Sequence, residues 1–388
     1  MTEPTALAYG PAYGFGAYIH WPFCARICPY CDFNVYAAKT RDPAPLLAAM
    51  HADIISQSAR LTSHQPLTSI FFGGGTPSLL SGTEIDNLIG ILAKTYQISP
   101  DCEITLEANP NDITLTKARD WHAAGINRLS VGVQSLDDDA LSFLGRDHNA
   151  DAARRATDIA LDTFASVSID MIYARPGQTV AAWEKELQAA IKLGAQHLSL
   201  YELTIEAATP FGKRTARGDL IPLPDDNQAS LYELTADITH AAGLPAYEIS
   251  NHAESERHRS VHNQIYWRSG DWLGIGPGAH GRLTENGQRL ATKAQDRPAD
   301  YIASPPQTIS PLTNEDTAHE LLVMGLRPTD GLARARIEHL FGTKLDNVKI
   351  AHLIDGGWLD TSGDQLKLTP EGRLLADRVT LEIAKSMV

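Results

Sequence analysis

Short apolar runs typical of strands alternate with amphipathic stretches typical of helices between residues 16 and 202. The predicted strands are Gly16–His20, Ser69–Phe72, Glu103–Glu107, Arg128–Val133, Ser166–Ile172 and His197–Glu202. The predicted helices are Pro45–Ser58, Thr83–Lys94, Ala150–Thr163 and Val180–Leu193. A repeated strand–helix order predicts parallel strands joined by crossover helices. Six such units favour an incomplete (β/α) barrel over an open Rossmann sheet, although periodicity alone does not separate the two.

Polar or glycine-rich segments follow several of these strands where each strand ends. Gly73–Pro77 follows the second strand, Glu107–Pro110 the third, and Gln134 with Ser135 the fourth, while Asp170 lies late in the fifth. The carboxyl ends of parallel barrel strands carry the active sites of such folds. We therefore expect these side chains to meet at one mouth of the barrel.

Three of the four cysteines lie within eight residues, at Cys24, Cys28 and Cys31. The C-x3-C-x2-C spacing supplies three thiolates to a cubane cluster and leaves one iron open. That iron can be chelated by the amino and carboxylate groups of S-adenosylmethionine (SAM). Electron-transfer clusters and structural zinc sites are usually held by four protein ligands, whereas this loop supplies three. Four cysteines in a chain of this length are also too few for a disulfide scaffold. The sequence predicts a SAM-binding [4Fe–4S] cluster, with zinc or inert thiols as the alternatives, and Cys102 as a buried structural thiol.

The cysteine loop resembles that of the radical-SAM superfamily. The segment that leads into this loop, Tyr18–Cys24, is similar to the corresponding segment of the oxygen-independent coproporphyrinogen III dehydrogenase group. The true dehydrogenases usually carry a further cysteine two positions after the third one, where this chain has Phe33. The combination resembles the haem-chaperone branch of that group, and matching blocks run from about Tyr18 to His280. The resemblance implies a partial (β/α)6 radical-SAM barrel rather than an open sheet.

The same resemblance implies a set of SAM contacts along the barrel. The set is Tyr18, Gly74, Gly75, Thr76, Glu107, Gln134, Arg146 and Asp170. Glycines let backbone approach a ligand closely, a carboxylate or amide can hold ribose hydroxyls, and Arg146 can pair with the SAM carboxylate. Any one of these residues alone is more often a satisfied polar group. The whole set in this order favours the ligand interpretation, with Asn109 and Ser135 in supporting positions.

A second block, His262–Trp267, has the form H-N-x-x-Y-W and resembles the signature of the haem-chaperone branch. Imidazole is a common haem ligand, so the resemblance implies His262 as a haem ligand, with Tyr266 and Trp267 packing on the porphyrin. A lone histidine is more often a satisfied core or surface group. His252 and His258 lie near His262 in the sequence. His20 and His280 are weaker candidates for a haem ligand.

Two further segments resemble the family. The first departs from the family pattern at one residue, and the second is a glycine-rich stretch. Arg175 stands where the family pattern usually has an apolar residue. The glycine-rich stretch Leu273–Gly281 is expected to close over the adenine side of the site.

From about Pro305 the pattern becomes helical, and Trp358–Thr369 predicts a hairpin that precedes a helix over Pro370–Lys385. These elements predict a small winged-helix-like end. Leu345–Val388 holds five Lys/Arg and seven Asp/Glu, so a role in packing or partner docking is favoured over DNA binding. The predicted domains are a barrel over 1–245, a segment completing the site over 246–304, and a C-terminal domain over 305–388.

The formal net charge of −14 disfavours nucleic-acid partners. Met1–Thr5 lacks the start of a signal peptide, and no apolar run is long enough to span a bilayer. A reducing, cytoplasmic location is therefore expected, which also keeps thiols free for iron.

Two functions of different classes follow from the resemblance. One is a chaperone that binds haem b and passes it to acceptor haemoproteins, such as respiratory enzymes at the inner membrane, with a homodimer linked to the cluster. The other is coproporphyrinogen III dehydrogenase, a radical-SAM oxidative decarboxylase. The absence of a cysteine at Phe33, the His262–Trp267 block and the short segment before Tyr18 favour the chaperone. A radical-SAM enzyme acting on another substrate ranks third.

Overall fold

The computed structural model describes residues 8–38, 42–59, 65–304, 308–361 and 363–386. In chain order the strands are β1 (Phe15–Trp21), β2 (Phe23–Cys24), β3 (Tyr36–Ala37), β4 (Leu67–Gly74), β5 (Ile98–Ala108), β6 (Arg128–Gln134), β7 (Ser166–Tyr173), β8 (His197–Glu202), β9 (Asn251–Ala253), β10 (Asp271–Ile275), β11 (His280–Glu285), β12 (Gln288–Lys293), β13 (Thr308–Pro311), β14 (Leu332–Ala333), β15 (Leu359–Asp360) and β16 (Gln365–Leu368). The helices are α1 (Ala44–Ser58), α2 (Gly82–Thr95), α3 (Leu115–Ala123), α4 (Asp138–Phe143), α5 (Ala150–Thr163), α6 (Val180–Ile191), α7 (Pro210–Ala216), α8 (Asp225–Ala241), α9 (Val261–Trp267), α10 (Pro298–Ala303), α11 (Asn314–Gly325), α12 (Arg334–Phe341), α13 (Asn347–Asp355), α14 (Pro370–Leu374) and α15 (Ala376–Lys385).

The main sheet runs in the order β13-β12-β11-β10-β1-β4-β5-β6-β7-β8-β9. All neighbours from β10 to β8 pair in parallel, and the strands outside that range pair antiparallel. Because β13 and β9 are opposite edges, the barrel is partial, as predicted. The six predicted strands are confirmed, and β10, which overlaps the glycine-rich stretch Leu273–Gly281, adds a parallel strand beside β1 that was not predicted.

The crossover helices pack on the outside of the parallel strands. All four predicted helices are present to within two residues, whereas α3 and α8 were not predicted. Local capping fixes their starts: Ser81 and Glu84 form a reciprocal capping box at α2, and the Asn149 side chain caps α5.

The barrel core lies between the strands and these helices. Its largest side chains include Trp121 and Trp183, which are fully buried. Their indole N–H groups donate to the Leu80 carbonyl at 3.0 Å and to the Thr235 hydroxyl at 2.8 Å. Both donors are thereby satisfied, as burial of a polar group requires.

The C-terminal part forms a winged-helix-like unit, as predicted. Helices α12 and α13 pack with a small sheet in the order β14-β16-β15. The predicted hairpin is β15 and β16, although Ser362 in its turn lies outside the described residues. The predicted final helix is divided at Leu375 into α14 and α15.

Chain segments cross between the two parts. Strand β13 lies in the C-terminal stretch of sequence but pairs with β12 at the edge of the main sheet. Ala8 and Tyr9 pack in the C-terminal apolar cluster, and the Arg336 guanidinium donates to the Ala8 carbonyl at 3.0 Å. Within the described ranges, no helix combines the length and apolar character needed to cross a membrane.

Candidate functional site

A cavity of about 520 Å³ opens at the carboxyl ends of β4 to β8, beside the cysteine loop. It brings together most residues that the sequence analysis assigned to the cluster and SAM. Those lining it are Cys24, Cys28, Cys31, Gly74, Gly75, Thr76, Glu107, Gln134, Arg146 and Asp170. Tyr18 and His262 are not among its lining residues. We call this space the cluster cavity.

The cysteine loop is held by its own short sheet. Strand β2, which contains Cys24, pairs in parallel with β3, and the Cys31 amide donates to the Cys28 carbonyl at 3.2 Å. All three thiols are free. Burial raises the pKa of Cys31 to about 11 and also raises that of Cys24, so their thiolates need cationic partners such as iron. Cys102 lies on β5, buried and outside the cavity, and burial raises its pKa to about 12.

The glycine run attaches β4 to the entry of the cysteine loop through backbone alone. The Gly75 amide donates to the Trp21 carbonyl at 2.7 Å, and the Thr76 amide donates to the Phe23 carbonyl at 2.9 Å. A Cβ at Gly75 would lie 2.7 Å from the Phe23 carbonyl oxygen, and Gly74 has φ of 109°. Side chains at these positions would separate the two segments, which gives a physical reason for the run.

Two acidic side chains lie on the inner wall. Glu107, at the end of β5, accepts a hydrogen bond from the Gly74 amide at 3.2 Å. Burial, and then the charge of Asp170, raise the pKa of Glu107 to about 8. Asp170 accepts from the Ser130 hydroxyl at 2.8 Å and the Ser168 hydroxyl at 3.1 Å, and burial raises its pKa as well. Neutral and charged carboxyl groups here can accept or donate hydrogen bonds to ligand hydroxyls.

Gln134 ends β6 in a strained backbone conformation. Its φ is 62°, in the left-handed region that a non-glycine residue rarely adopts. The ladder to β7 shifts register between Val131 and Gln134, so the strand bulges there. Such strain persists where surrounding contacts enforce it and is common at functional sites.

Arg146 bridges the cysteine loop and the strand ends. Its guanidinium lies 3.4 Å from the Cys28 sulfur, donates to the Asn109 side-chain oxygen at 2.6 Å, and lies 3.3 Å from the Gly132 carbonyl. Its Nε is buried and has no hydrogen-bond partner among the described residues. The cation is therefore held beside the cysteines with one donor left over.

Arg175, the departure from the family pattern, forms a buried ion pair with Glu186. Their contact is 2.5 Å, and the two residues are only 7% and 8% exposed. Glu186 also accepts from the Ser135 hydroxyl and from the Leu136 amide at 3.0 Å. The ion pair thus anchors the segment that directly follows Gln134, so Arg175 supports the cavity without lining it.

A second space of about 300 Å³ lies inside the barrel, and we call it the inner cavity. It shares Glu107, Ser130, Asp170 and Tyr201 with the cluster cavity and extends to Arg128 and His197 at the amino ends of β6 and β8. Tyr18 lines this space, and its hydroxyl lies 3.0 Å from His20 Nδ1. The predicted SAM residue Tyr18 therefore lines the inner cavity with Glu107 and Asp170, and it is not among the residues that line the cluster cavity.

Helix α9, which carries the H-N-x-x-Y-W block, closes the amino end of the inner cavity. Glu103 accepts from the Val261 and His262 amides at 2.8 and 3.3 Å and pairs with Arg128 at 3.4 Å. His262 Nδ1 lies 2.8 Å from the Ser69 hydroxyl. A short helix is thus fastened to β4, β5 and β6 as a plug.

Both ring nitrogens of His262 are engaged, because its Nε2 lies 2.6 Å from the Tyr266 hydroxyl. Burial lowers the pKa of His262 to about 3, so the ring is neutral. Iron ligation would require Ser69 or Tyr266 to release one nitrogen. Trp267 packs edge-on against Tyr247 in a small apolar cluster.

The other predicted histidines lie apart from the cluster cavity. His252 is buried on β9, His258 is in a 3-10 helix, His280 begins β11, and the His20 Nε2 lies 2.9 Å from the Asn34 carbonyl. The glycine-rich stretch does not line the cluster cavity either. It enters β10 and a turn whose Pro277 carbonyl accepts from the Asn34 side chain at 3.0 Å. Its expected position over the adenine side of the site stays a prediction.

Three residues of this region were not singled out by the sequence analysis: Arg128, Glu186 and Tyr201. Arg128 and Tyr201 are polar positions within apolar strands, which was the available signal. Glu186 carries no such signal because its partner is brought to it only by the turn after β7.

The donor set fits a cubane cluster with SAM. Three free thiols lie on one loop, and no three Cys, His, Asp or Glu side chains of the described residues gather around one point as a single-ion site would require. In a cubane each thiolate holds a separate iron. The spare donor on Arg146 and the carboxyl groups of Glu107 and Asp170 suit the charged and hydroxyl groups of SAM.

Comparisons with known proteins agree with this arrangement. Residues 18–190 match the Radical SAM superfamily, and residues 312–375 match the HemN C-terminal domain. The heme chaperone HemW of Bacillus subtilis is 34% identical over 375 residues, which cover 94% of this chain and 97% of the relative. A mitochondrial radical S-adenosyl methionine domain-containing protein 1 of Dictyostelium discoideum is 36% identical over 418 residues, covering 95% and 94%.

The solved structure of coproporphyrinogen III oxidase (HemN) from Escherichia coli, a radical-SAM enzyme, has the same fold. It superposes with a TM-score of 0.78 at 21% identity and covers 96% of this chain and 90% of that one. Since the full-length similarity in sequence is to HemW proteins, this chain belongs to the HemW family of the radical-SAM superfamily.

Proposed function

We propose that this protein is a haem chaperone, which binds haem b and delivers it to acceptor haemoproteins such as respiratory-chain enzymes. The observation that carries the proposal is the full-length similarity to heme chaperones HemW from Bacillus subtilis, Mycobacterium tuberculosis and Escherichia coli, at 33–34% identity. Relatives named as mitochondrial proteins are equally similar, so the cytoplasmic location stays a prediction.

Membership of the superfamily implies a [4Fe–4S] cluster and SAM. We propose that Cys24, Cys28 and Cys31 hold the cluster. The proposed SAM residues are Tyr18, Gly74, Gly75, Thr76, Glu107, Gln134, Arg146 and Asp170. When bound, SAM and a reduced cluster supply radical chemistry, and the protein's own share is binding and orientation.

Each part of the cluster cavity has a task in this proposal. The glycine run lets the backbone hold the cysteine loop, and Arg146 places a cation beside Cys28. Glu107, neutral below about pH 8, can donate a hydrogen bond, and Asp170, whose pKa is also raised by burial, accepts hydrogen bonds from Ser130 and Ser168. Two neighbouring carboxyl groups can hydrogen-bond to a pair of ribose hydroxyls.

Phe33 supports the chaperone over the dehydrogenase. Its side chain is 65% exposed and lies at the rim of the cluster cavity, where the dehydrogenases usually carry a cysteine. A thiol available for chemistry is thus replaced by an exposed aromatic ring. Exposed large apolar side chains are typical of contact surfaces, which suits docking of an acceptor.

His262 remains our proposal for a haem ligand, with a condition from the geometry. One of its two hydrogen bonds, to Ser69 or to Tyr266, would have to open. The homodimer linked to the cluster is likewise a proposal, which light scattering on protein with and without its cluster would test.

The test of the function uses the full chain with its cluster reconstituted anaerobically. We expect haem binding, transfer to an apo-cytochrome, and no turnover of coproporphyrinogen III in the presence of SAM and a reductant. The control is the triple alanine variant of the cluster-loop cysteines. The chaperone proposal would be overturned in favour of the dehydrogenase if the wild type formed protoporphyrinogen in sustained turnover and did not bind haem when haem was added.

A further inference from the structure

A continuous series of hydrogen bonds joins the start of α9 to the acidic wall that the two cavities share. The Tyr247 hydroxyl accepts from the Ser260 amide at the N-cap of α9 at 3.1 Å and lies 2.8 Å from His197 Nε2. His197 Nδ1 lies 2.8 Å from the Ser168 hydroxyl, which donates to the Asp170 carboxyl group at 3.1 Å. We call these four side chains, from Tyr247 to Asp170, the polar chain.

One arrangement of protons satisfies every member of the polar chain. Because Ser168 gives its proton to Asp170, its oxygen accepts from His197 Nδ1. Burial lowers the pKa of His197 well below its usual value, so the ring is neutral and its single proton lies on Nδ1. Nε2 then accepts from the Tyr247 hydroxyl, whose oxygen accepts from the Ser260 amide. The hydrogen bonds therefore all run in one direction, from α9 to Asp170.

Tyr247 is fixed to the rest of the protein through its backbone and touches both ends of α9 with its side chain. Its amide donates to the Asn251 carbonyl at 3.0 Å, and its carbonyl accepts from the Thr329 amide at 3.0 Å. Its ring packs edge-on against Trp267, the last residue of α9, with centroids 5.8 Å apart. Since its hydroxyl meets the Ser260 amide at the other end, a movement of α9 would change the contacts of Tyr247.

Haem binding at His262 requires a movement in this helix. His262 is 1% exposed, and its two ring nitrogens are engaged by Ser69 and Tyr266. Iron can reach one of these nitrogens only if the ring, and the short helix that carries it, shifts. Ser260 lies two residues before His262, and its hydroxyl accepts from the Asn263 amide at 3.3 Å. The start of α9 is therefore expected to move with His262.

We propose that His197 and Tyr247 are positioning residues through which haem binding at His262 weakens SAM binding at Asp170. This inference rests on the proposed chaperone function and names how its two sites are linked. When α9 shifts, the polar chain loses its first donor, and the Asp170 carboxyl group is held less firmly on that side. Coupling between two binding sites is reciprocal, so SAM should weaken haem binding by the same factor. SAM would thus favour the release of haem.

The test uses the full-length protein with its cluster reconstituted anaerobically. The dissociation constant of radiolabelled SAM is measured by equilibrium dialysis with and without one equivalent of haem. We expect haem to raise the wild-type constant about fivefold or more. Tyr247→Phe keeps the ring but removes the hydroxyl, so the factor should fall to about one. The matched control is Tyr96→Phe, which removes a hydroxyl that donates to the Ile54 carbonyl at 3.2 Å and should keep the wild-type factor.

Two variants of His197 separate positioning from packing. His197→Leu removes the donor to Ser168 and should weaken SAM binding about fivefold even without haem. His197→Asn keeps an N–H group near the position of Nδ1 but is too short to reach Tyr247. We therefore expect it to restore most of the SAM affinity while the effect of haem stays lost. Equal weakening in both variants would overturn the positioning role of His197.

The outcomes also separate this coupling from the proposed function. If the wild type binds haem and haem leaves SAM affinity unchanged or increases it, the coupling is wrong and the chaperone function stands. The same holds if Tyr247→Phe retains the full factor. If the wild type binds no haem, the proposed function itself fails. Circular dichroism checks the fold of each variant, and Tyr247→Phe, which preserves the packing of the ring, decides the matter if His197→Leu does not fold.

Discussion

Replacement of Arg175 by leucine restores the apolar residue of the family pattern, yet we expect it to destabilise this protein strongly. The guanidinium donates to both carboxylate oxygens of Glu186, at 2.5 and 3.3 Å, and to the Ile172 carbonyl at 3.0 Å. Leucine would leave a buried carboxylate without its cation. Removing one partner of a buried ion pair typically costs about 3–5 kcal/mol.

The size of the effect depends on which partner is left behind. In Arg175→Leu the carboxylate of Glu186 keeps only its neutral donors, including Ser135 and Leu136, so we expect the free energy of unfolding to fall by about 3–5 kcal/mol. Adding Glu186→Gln removes the unpaired charge but keeps an acceptor for both donors. We expect the double variant to recover roughly half of the loss, since a neutral unsatisfied group costs about 1–3 kcal/mol.

Equilibrium urea unfolding of the wild type, both single variants and the double variant measures this coupling. The control is Arg217→Leu, which breaks the exposed pair with Asp219 and should cost at most about 1 kcal/mol. SAM affinity gives a second readout, because Glu186 anchors the segment after Gln134. A loss below about 1 kcal/mol in Arg175→Leu, equal to that of the control, would refute the anchoring role of the pair.

Three further predictions concern the two cavities. Alanine at any one of the cluster-loop cysteines should abolish cluster assembly, measured as bound iron and sulfide, whereas Cys102→Ala should retain it; loss of the cluster in Cys102→Ala would contradict the loop assignment. If His262 is a haem ligand, His262→Ala should change haem affinity and the Soret band, and unchanged values would exclude it. The pKa of Glu107 is raised from 4.5 to about 8. At pH values between these two, the folded protein therefore keeps this proton and the unfolded chain loses it. Stability should therefore fall as pH rises through that window, by up to about 1.4 kcal/mol per pH unit, and Glu107→Gln should flatten the profile measured by unfolding at several pH values.

The sequence predicted the parallel strands well because each is a short, nearly continuous apolar run between turn residues. It missed β10 because Asp271–Ile275 contains a glycine and joins a glycine-rich turn, so its pairing with β1 is visible only in three dimensions. It also missed α3 and α8, which are rich in polar residues and bury few side chains each. Apolar periodicity is weak in such helices, since tertiary contacts rather than pattern hold them.

The cluster cavity was predictable because its residues sit at fixed places, on one loop and at strand ends. Residues that act on the site through another residue were not predictable from the sequence. Arg175 stood out only as a departure from a pattern, and its meaning came from Glu186, which is eleven positions away on α6. Tyr18, which resemblance assigns to SAM, lines the inner cavity together with Glu107 and Asp170, and only the two carboxyl groups also line the cluster cavity.

The cluster cavity lies at the carboxyl ends of the strands, and the inner cavity lies between it and the α9 plug. Glu107, Asp170 and Tyr201 line both spaces. If haem is bound at His262, coupling between the haem and the cluster would pass through this shared wall, because a ligand that moves these side chains in one cavity also changes the lining of the other.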